Sequence, residues 1–189
     1  MAVYNFSNRD CYQIGIIDIN TSPNPQSMYG KSKLEAENEL LIIQKKSTPI
    51  AIIRTPSIIG RNTEKYLDNY YWAWRIPFFP IMFEQCKRSF IYVDTLSEFI
   101  RIVIEKKSSG IFYPQNLPLL STSEIVQQIE DCNHKKLFKI RIPRIFQFSN
   151  KKVSSLYGNI YYTEKLSSHF DNSYNIISSK DAIKLTLED

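Results

Sequence analysis

The sequence predicts an α/β fold whose strands run parallel. Short apolar runs rich in β-branched and aromatic residues alternate along the 189 residues with longer segments that have helical spacing. Strands separated by helices are typical of βαβ units, which place their strands in parallel. The runs are continuously apolar, as expected of strands that are buried on both faces. Two or three parallel strands of this kind would be too few for a self-sufficient doubly wound sheet.

The beginning of the chain contains one predicted helix and one predicted strand. Residues 1–24 are predicted to be irregular, except that 3–4 has the composition of the end of a strand. A cluster of turn and helix-start residues leads into a predicted helix over 25–44. The β-branched run 49–54 predicts a buried strand, and a Thr-Pro pair ends it before a predicted loop over 55–62.

Local capping signals mark the helices in the remainder of the chain. Asp94 follows a short apolar run and is predicted to cap the next helix. Ser121 or Thr122 is predicted to start another helix, because Glu124 stands close behind them as in a capping box. The predicted elements after residue 62 are, in chain order, an aromatic helix within 64–76, a strand over 90–93, a helix over 95–106, a strand over 110–113, a helix from 121 or 122 to 131, a strand over 137–142, a helix from Pro143 and a final helix from Lys180.

The composition excludes several classes of function. The net charge is +5 and the lysines are scattered, which indicates a solvated basic surface or a site for a small anionic ligand, and not a nucleic-acid partner. The three cysteines and two histidines show neither a disulfide framework nor the spacing of zinc ligands, so no metal site is predicted. Because the N-terminus is polar and no apolar run could span a bilayer, we expect a cytoplasmic protein without a membrane partner.

One tyrosine–lysine pair has a spacing that is compatible with acid–base chemistry. Tyr29 and Lys33 are four residues apart in the first predicted helix, so they share one helix face. A nearby ammonium favours the phenolate form of a tyrosine, which can then exchange protons with a substrate. The spacing alone is weak evidence, because Tyr161 and Lys165 show it too in a chain with 12 tyrosines. An exposed helical pair without a function remains the simpler interpretation of the spacing.

Three stretches together resemble a known enzyme family. They are 25–37 (PQSMYGKSKLEAE), 54–60 (RTPSIIG) and 88–96 (RSFIYVDTL). In this order and approximate spacing they are similar to the active-site helix, the Arg-x-Pro-x-x-Tyr-Gly loop and the Arg-x-Phe-Ile-x-Val-x-Asp-Leu stretch of extended short-chain dehydrogenases/reductases, the NAD-dependent epimerase/dehydratase family. Ile59 replaces the usual Tyr, and Thr95 replaces the usual second Asp. The details resemble a branch related to UDP-glucose 4-epimerases and found near polysaccharide gene clusters.

The resemblance implies a particular division of the chain. It predicts a truncated Rossmann-like fold, a doubly wound parallel sheet that lacks its N-terminal βαβ units, with a small mixed α/β substrate-binding part. Residues 1–60 would be the C-terminal portion of the Rossmann-like domain and would include the Tyr-x-x-x-Lys helix. Residues 61–189 would be mainly the substrate-binding part, with 95–115 returning to the sheet.

The resemblance also assigns catalytic and cofactor-binding residues. Tyr29 would exchange a proton with a sugar hydroxyl, and Lys33 would bind the nicotinamide ribose and stabilise the phenolate of Tyr29. Both would therefore also contact the cofactor. The backbone around Thr55, Pro56 and Ile58 would contact the nicotinamide side. The 4-epimerases of the family oxidise the sugar with bound NAD, rotate the ketone and reduce its other face.

Two further residues are expected to bind the substrate. Arg88 would pair with the diphosphate of a nucleotide sugar, a UDP-hexose in this branch, because a forked guanidinium suits phosphate oxygens. Asn69 would contact the same phosphates from a helix start, although a plain helix cap explains it equally well. The expected function is therefore NAD-dependent nucleotide-sugar epimerisation for polysaccharide precursor synthesis.

The part of the family that holds the dinucleotide has no counterpart in the sequence. Family members begin with a strand, a Gly-rich turn and a helix whose N-terminus holds the pyrophosphate. None of the five glycines lies in a G-x-G-x-x-G or G-x-x-G-x-x-G pattern. Residues 1–4 align with the end of the family strand that carries the catalytic Ser or Thr, which places this hydroxyl before Met1. We therefore expect a truncated chain that is inactive alone and does not bind NAD, the cofactor of the full-length family.

Other functions and partners stay open at this stage. The chain could be a non-catalytic module that binds a sugar nucleotide, or a dehydratase or reductase of the same superfamily. The expected macromolecular partner is a second copy that docks through the Tyr29 helix, or an N-terminal half that complements the chain.

Overall fold

The computed structural model describes most of the chain. It describes residues 1–5, 15–44, 49–61, 78–81, 85–134, 136, 138–141 and 158–188. Within these ranges, 78–81, 133 and 138–141 are described by their backbone alone. The predicted aromatic helix within 64–76, the helix predicted from Pro143 and the candidate Asn69 lie outside the described residues.

Strands and helices alternate along the described residues. None of the helices there is long and apolar enough to cross a membrane. The elements are, in chain order, β1 (Gly15–Ile17), α1 (Met28–Gln44), β2 (Ala51–Ile53), β3 (Ser57–Ile59), β4 (Phe78–Ile81), β5 (Phe90–Tyr92), α2 (Val93–Glu105), β6 (Gly110–Phe112), α3 (Thr122–Asn133), β7 (Phe138–Arg141), β8 (Ile160–Tyr162), α4 (Glu164–Ser167), a 3₁₀ turn (Phe170–Asn172) and α5 (Ser179–Leu187).

The strands form parallel pairs that join distant parts of the chain. The pairs are β1–β8, β2–β6, β3–β5 and β4–β7, and every pair is parallel. In the β2–β6 pair Ala51 lies opposite Gly110, and in the β3–β5 pair Ser57 lies opposite Phe90. The predicted α/β class with parallel strands is confirmed. The four predicted strands correspond to β2, β5, β6 and β7. Strands β1, β3, β4 and β8 were not predicted, because three or four residues show no period and their pairing partners are distant in the chain.

Three clusters of buried side chains hold the elements together. In the largest, β3 and β5 pack against α3 and α5, with Ile59, Tyr92, Ile125 and Ile183 among its members. An aromatic cluster contains Phe99, Phe112 and Tyr174 and joins α2 to β6. The third cluster joins the N-terminal segment to β1, β8 and α4, and its members are Val3, Tyr4, Ile17, Tyr162 and Leu166.

Several predicted boundaries near the start of the chain need correction. Residues 1–5 form a turn rather than the end of a strand, with Tyr4 N–H donating to Met1 O at 3.2 Å. The segment predicted to be irregular over 1–24 contains β1, and the segment predicted to be a loop over 55–62 contains β3. Both strands owe their hydrogen bonds to partners far along the chain, so local sequence signals do not reveal them.

The helix starts show which capping signals were interpreted correctly. Ser121 accepts from Glu124 N–H at 3.3 Å, and the Glu124 carboxylate accepts from Ser121 N–H at 2.8 Å, so the predicted capping box is confirmed. The prediction for Asp94 is wrong, because α2 begins at Val93 and Tyr92 is the N-cap residue. Asp94 lies instead in the first turn of α2, where its charge still suits the positive end of the helix dipole.

Two buried amide side chains tie the loop after β6 to the neighbouring strands. Gln115 accepts a hydrogen bond from the Ser89 hydroxyl, and its amide donates to Tyr162 O at 3.0 Å and to Ser167 Oγ at 2.8 Å. Asn116 accepts from Tyr92 N–H at 2.7 Å and donates to Ile177 O at 2.6 Å. These bonds replace backbone pairing where the strands are too short to supply it.

Candidate functional site

Helix α1 presents the predicted tyrosine–lysine pair to solvent. The Tyr29 side chain is 64% exposed, and Lys33 is exposed one turn further along the helix. The Lys33 ammonium lies 5.4 Å from the centroid of the Tyr29 ring, within the range of a cation–π contact. The structure therefore places both groups side by side on one accessible face of α1.

The start of α1 is fixed by a serine cap and a close glycine contact. The Ser27 hydroxyl accepts from Gly30 N–H at 3.0 Å, and Ser27 O accepts from Lys31 N–H at 3.0 Å. Ser27 is thus the N-cap residue, and α1 begins at Met28 rather than at the predicted residue 25. Gly30 is buried, and an ideal Cβ there would collide with Ala2 O and lie 2.8 Å from Pro25 Cβ.

A buried arginine directly after β2, Arg54, forms a salt bridge with Glu37 in the middle of α1. The Arg54 guanidinium donates to Glu37 through two nitrogens, Nη2 at 2.7 Å and Nε at 3.1 Å to the same carboxylate oxygen. The other terminal nitrogen donates to the hydroxyls of Tyr4 at 2.7 Å and Tyr113 at 3.1 Å. Both tyrosine rings lie against the guanidinium, at 5.5 and 5.6 Å from its carbon to their centroids.

The charge states of Arg54 and the tyrosines near it follow from burial and from hydrogen bonding. Burial opposes the charge on Arg54, but the hydrogen bonds to Glu37 and the nearby Tyr4 and Tyr113 hydroxyls outweigh it and hold the pKa of Arg54 above its ordinary value. Burial raises the pKa of Tyr4, and burial also raises the pKa of Tyr162. The Arg54–Glu37 ion pair therefore lies beside neutral Tyr4 and Tyr162 hydroxyls.

The predicted nicotinamide-side residues follow Arg54 directly. Thr55 is half-buried, and its carbonyl oxygen accepts from the backbone nitrogen of Met1 at 2.7 Å. Pro56 is buried, and Ile58 is 42% exposed in β3. Because the N-terminal segment contacts both Thr55 and the start of α1, the structure brings this loop and the Tyr29 helix to one region of the molecule. The cofactor roles of these residues stay predictions.

Arg88 lies just before β5 and is half-buried. It forms a parallel bridge with Ile160, and the next residue, Ser89, donates its N–H to Ile160 O at 2.9 Å. Tyr162 at the end of the same strand β8 donates its hydroxyl to Arg54 O at 2.9 Å. Strand β8 therefore connects the predicted diphosphate-binding residue to the arginine that holds α1. The binding role of Arg88 stays a prediction.

A cleft of about 510 Å³ opens near the carboxyl ends of β1, β6 and β8. The half-buried His169 lies in its wall, where its Nε2 accepts from Tyr113 N–H at 3.0 Å. This bond requires the neutral imidazole, and burial lowers the pKa of His169 in agreement with it. The cleft is lined by Asp18, Ile19, Asn20, Ile111, Tyr113, Thr163, Lys165, Leu166, Ser168 and His169.

The sequence interpretation missed both the Arg54 cluster and this cleft. A charged residue at the end of an apolar run such as 49–54 signals that a buried partner is needed, but it does not say which carboxylate supplies it. Glu37 lies eight residues after Tyr29 on the same helix, and this spacing was the available clue. Among the described residues no group of acidic, histidine or cysteine side chains is arranged to hold a metal ion.

Comparison with known proteins gives matches in structure but not in sequence. No family model matches the chain, and no curated protein sequence does. The UDP-N-acetylglucosamine 4-epimerase from Bacillus cereus superposes with a TM-score of 0.65 at 18% identity, over 97% of this chain and 62% of that protein. A UDP-glucose 4-epimerase superposes at 0.63 and 14%, over 97% and 61%. A dTDP-4-dehydrorhamnose reductase from Clostridium acetobutylicum superposes at 0.64 and 18%, over 98% and 62%.

These matches show the fold. The chain has the α/β fold of UDP-sugar 4-epimerases and related reductases, and it spans about 62% of the length of the first of them. The predicted Rossmann-like class, matched over only part of such a structure, is confirmed. The division at residues 60 and 61 stays a prediction.

Proposed function

We propose that this chain supplies the proton-transfer helix and the substrate side of an NAD-dependent nucleotide-sugar epimerase. The observation that supports the proposal is the exposed Tyr29–Lys33 pair on α1, whose ammonium and ring lie 5.4 Å apart, within a fold shared with UDP-sugar 4-epimerases. The proposed setting is cytoplasmic synthesis of polysaccharide precursors, with a UDP-hexose as substrate.

The proposed chemistry divides between the cofactor and the chain. NAD, when bound, supplies the hydride acceptor and donor for oxidation and reduction of the sugar carbon. The Tyr29 phenolate takes the proton from the sugar hydroxyl during oxidation, and the Tyr29 hydroxyl formed in this way returns the proton during reduction. Lys33 stabilises the phenolate and holds the nicotinamide ribose, and Arg88 pairs with the substrate diphosphate.

The described residues include candidates for contacts with one end of a dinucleotide and not with the other. Tyr29, Lys33 and Ile58, which are proposed to contact the nicotinamide end, are all exposed. A pyrophosphate needs a Gly-rich turn at a helix N-terminus, and none of the five glycines lies in such a pattern. We therefore expect these 189 residues to bind a nucleotide sugar and to bind NAD weakly or not at all.

A second candidate is a sugar-nucleotide-binding module without catalysis. The observation that favours it is that Tyr29 and Lys33 are both exposed on α1, as in a helical pair that takes no part in catalysis. A third is a reductase, because the fold is shared with a dTDP-4-dehydrorhamnose reductase. An epimerase would convert UDP-glucose with NAD, a reductase would need a keto sugar and a reduced dinucleotide, and a binding module would convert neither, so assays with these substrates can separate them.

Calorimetric titration tests the binding part of the proposal. UDP-glucose, UDP-N-acetylglucosamine and NAD are titrated separately into the wild-type chain, into Arg88→Ala and into Arg101→Ala as a matched surface control. We expect binding of a UDP-sugar that Arg88→Ala weakens at least about tenfold, a loss of ~1.4 kcal/mol, and that Arg101→Ala leaves unchanged. Equal affinity in wild type and Arg88→Ala would contradict the role of Arg88, and tight stoichiometric NAD binding would contradict the expectation that these residues bind NAD weakly or not at all.

Product analysis tests the catalytic part. The chain is incubated with NAD and UDP-glucose, and the nucleotide sugars are separated by anion-exchange chromatography. We expect no UDP-galactose from the chain alone, and we expect its formation when a dinucleotide-binding segment of the same fold is added. Activity that persists in Tyr29→Phe would show that Tyr29 does not transfer the proton.

A further inference from the structure

We propose that Arg54 is a positioning residue that sets the orientation of the helix carrying Tyr29 and Lys33. It acts through Glu37, whose carboxylate it holds with two nitrogens. The inference deepens the proposed function and rests on it, because it concerns the placement of the proposed proton-transfer pair.

The three helical residues lie on one stripe. Tyr29, Lys33 and Glu37 follow one another at intervals of four residues on α1. Neighbours at this spacing share a helix face, and the stripe is inclined, so that Glu37 is rotated by roughly 80° from Tyr29 about the axis. With a rise of about 1.5 Å per residue, Glu37 is roughly 12 Å from Tyr29 along the helix axis. A rotation of α1 about its axis would therefore move Glu37, Lys33 and Tyr29 together.

Apolar packing does little to fix that rotation. Among the described residues of α1, Gly30 is the one that is buried, and Leu34 is half-buried against the cluster of Val3, Tyr4 and Tyr162. Leu40, Ile42 and Ile43 are 39–51% exposed. A helix with so few buried apolar contacts depends on its polar contacts for a defined orientation.

The geometry of the arginine contact can define an orientation. A guanidinium that donates two hydrogen bonds to one carboxylate fixes both the direction and the plane of that carboxylate. Arg54 is 8% exposed, so water does not compete well for the same oxygens. A lysine would keep the charge but would lose this directional fork.

Apart from α1, three parts of the fold hold Arg54: the N-terminal segment, the end of β6 and β8. Its guanidinium donates to Tyr4 and Tyr113, its N–H donates to Phe112 O at 2.9 Å, and its carbonyl accepts from Tyr162. The next residues are Thr55 and Pro56, the predicted nicotinamide loop. One side chain therefore connects the proton-transfer helix to the loop against which the cofactor would lie.

A spectroscopic experiment separates positioning from simple stabilisation. Fluorotyrosine is placed at position 29, and its fluorine resonance is recorded in the wild-type background, in Glu37→Gln and in Glu98→Gln. The control is matched, because Glu98 also pairs with two nitrogens of an arginine, Arg101, but that arginine side chain is 53% exposed on α2. Circular dichroism establishes that each variant is folded, and NOEs from the Leu34 methyl groups report the seating of α1.

The expected result is a change confined to the buried pair. In folded Glu37→Gln the Tyr29 resonance shifts or splits and the Leu34 NOEs to its cluster weaken, while Glu98→Gln matches the wild type. Arg54→Lys gives the same change as Glu37→Gln, because charge without the fork does not restore the orientation. If Glu37→Gln does not fold, Tyr4→Phe and Tyr113→Phe each remove one hydroxyl from Arg54 and are expected to give a smaller shift.

Addition of UDP-glucose links this result to function. In the wild type we expect the Tyr29 resonance to respond to UDP-glucose. In Glu37→Gln we expect the Kd for UDP-glucose, whose binding depends on Arg88, to equal that of the wild type. The Tyr29 resonance is expected no longer to respond to UDP-glucose. Failure of the wild type to bind UDP-glucose would count against the proposed function alone. An unchanged ligand-free Tyr29 resonance with unchanged Leu34 NOEs in folded Glu37→Gln would overturn the positioning role itself.

Discussion

Gly30 of helix α1 is packed against the backbone of Ala2. An ideal Cβ on Gly30 would collide with the carbonyl oxygen of Ala2 and would also lie 2.8 Å from Pro25 Cβ and 3.1 Å from Ser27 Oγ. A backbone carbonyl cannot swing away as a flexible side chain can. The glycine is therefore required by close approach within the helix that carries Tyr29, and its backbone conformation is ordinary for a helix.

We predict that Gly30→Ala destabilises the protein although alanine is the better helix former. Alanine would add up to about 1 kcal/mol in helix propensity, but the clash would force α1 away from Ala2 at a cost of roughly 1–3 kcal/mol. Urea unfolding followed by circular dichroism measures the net loss. Glu35→Ala, at an exposed position of the same helix, is the matched control and is expected to change stability by less than about 0.5 kcal/mol. A Gly30→Ala variant as stable as that control would show that α1 is not seated on Ala2.

We predict that His169 makes the stability depend on pH. Burial lowers the folded-state pKa of His169 below its ordinary value of 6.5, so the unfolded chain binds the proton more readily. The contribution of His169 is thus complete above about pH 6.5 and is lost as the pH falls towards the folded-state pKa. Protonation would also remove the acceptor for the Tyr113 N–H, which lies 3.0 Å from Nε2.

The measurement compares unfolding free energies at about pH 7.5 and about pH 5.5. We expect wild type to lose stability at the lower pH and His169→Phe to lose less. His134→Asn is the control, because His134 is the other histidine, is exposed, and has a left-handed backbone that asparagine tolerates. An equal pH dependence in wild type and His169→Phe would contradict the prediction.

Residues with local partners were the ones that the sequence could identify. The Ser121–Glu124 capping box spans four residues, and both its hydrogen bonds are visible in the spacing alone. Strands β1 and β3 could not be identified in this way, because their partners are the distant β8 and β5. A three-residue strand has no period to recognise, and tertiary pairing decides its conformation.

The residues of the candidate site also differ in whether local spacing or distant partners determine their roles. The Tyr29–Lys33 face follows from helical spacing and needs no tertiary information. The role of Arg54 does not, because its partners lie 17 and 59 residues away at Glu37 and Tyr113. Burial of a charged side chain shows that partners are needed, and only the folded structure identifies them.

We predict that Gln115→Leu strongly destabilises the fold. Leucine has a similar size, but it would leave Ser89, Tyr162 O and Ser167 without their amide partner in a fully buried position. Unsatisfied buried groups cost about 1–3 kcal/mol each, so we expect a loss of at least roughly 2 kcal/mol in thermal or urea unfolding. Gln127→Leu on the exposed face of α3 is the matched control. Similar stability of the two variants would mean that water or rearrangement satisfies the groups around Gln115.

We predict that Ser121→Ala destabilises α3 and reduces the amount of stability that the protein loses on acidification. The Ser121 N–H and hydroxyl together hold the pKa of Glu124 below its ordinary value, so the Glu124 contribution is present above about pH 4.5 and is lost as the pH falls through the lowered pKa. Loss of the cap should cost about 1 kcal/mol near neutral pH, measured by urea unfolding. The Ser121→Ala variant should also lose less stability than wild type on acidification, because it keeps the backbone bond from Ser121 N–H to Glu124 but lacks the bond from the Ser121 hydroxyl. Ser97→Ala, at an exposed position on α2 away from the capping box, is expected to respond to acid like the wild type, and an equal loss in both variants would place the cap elsewhere.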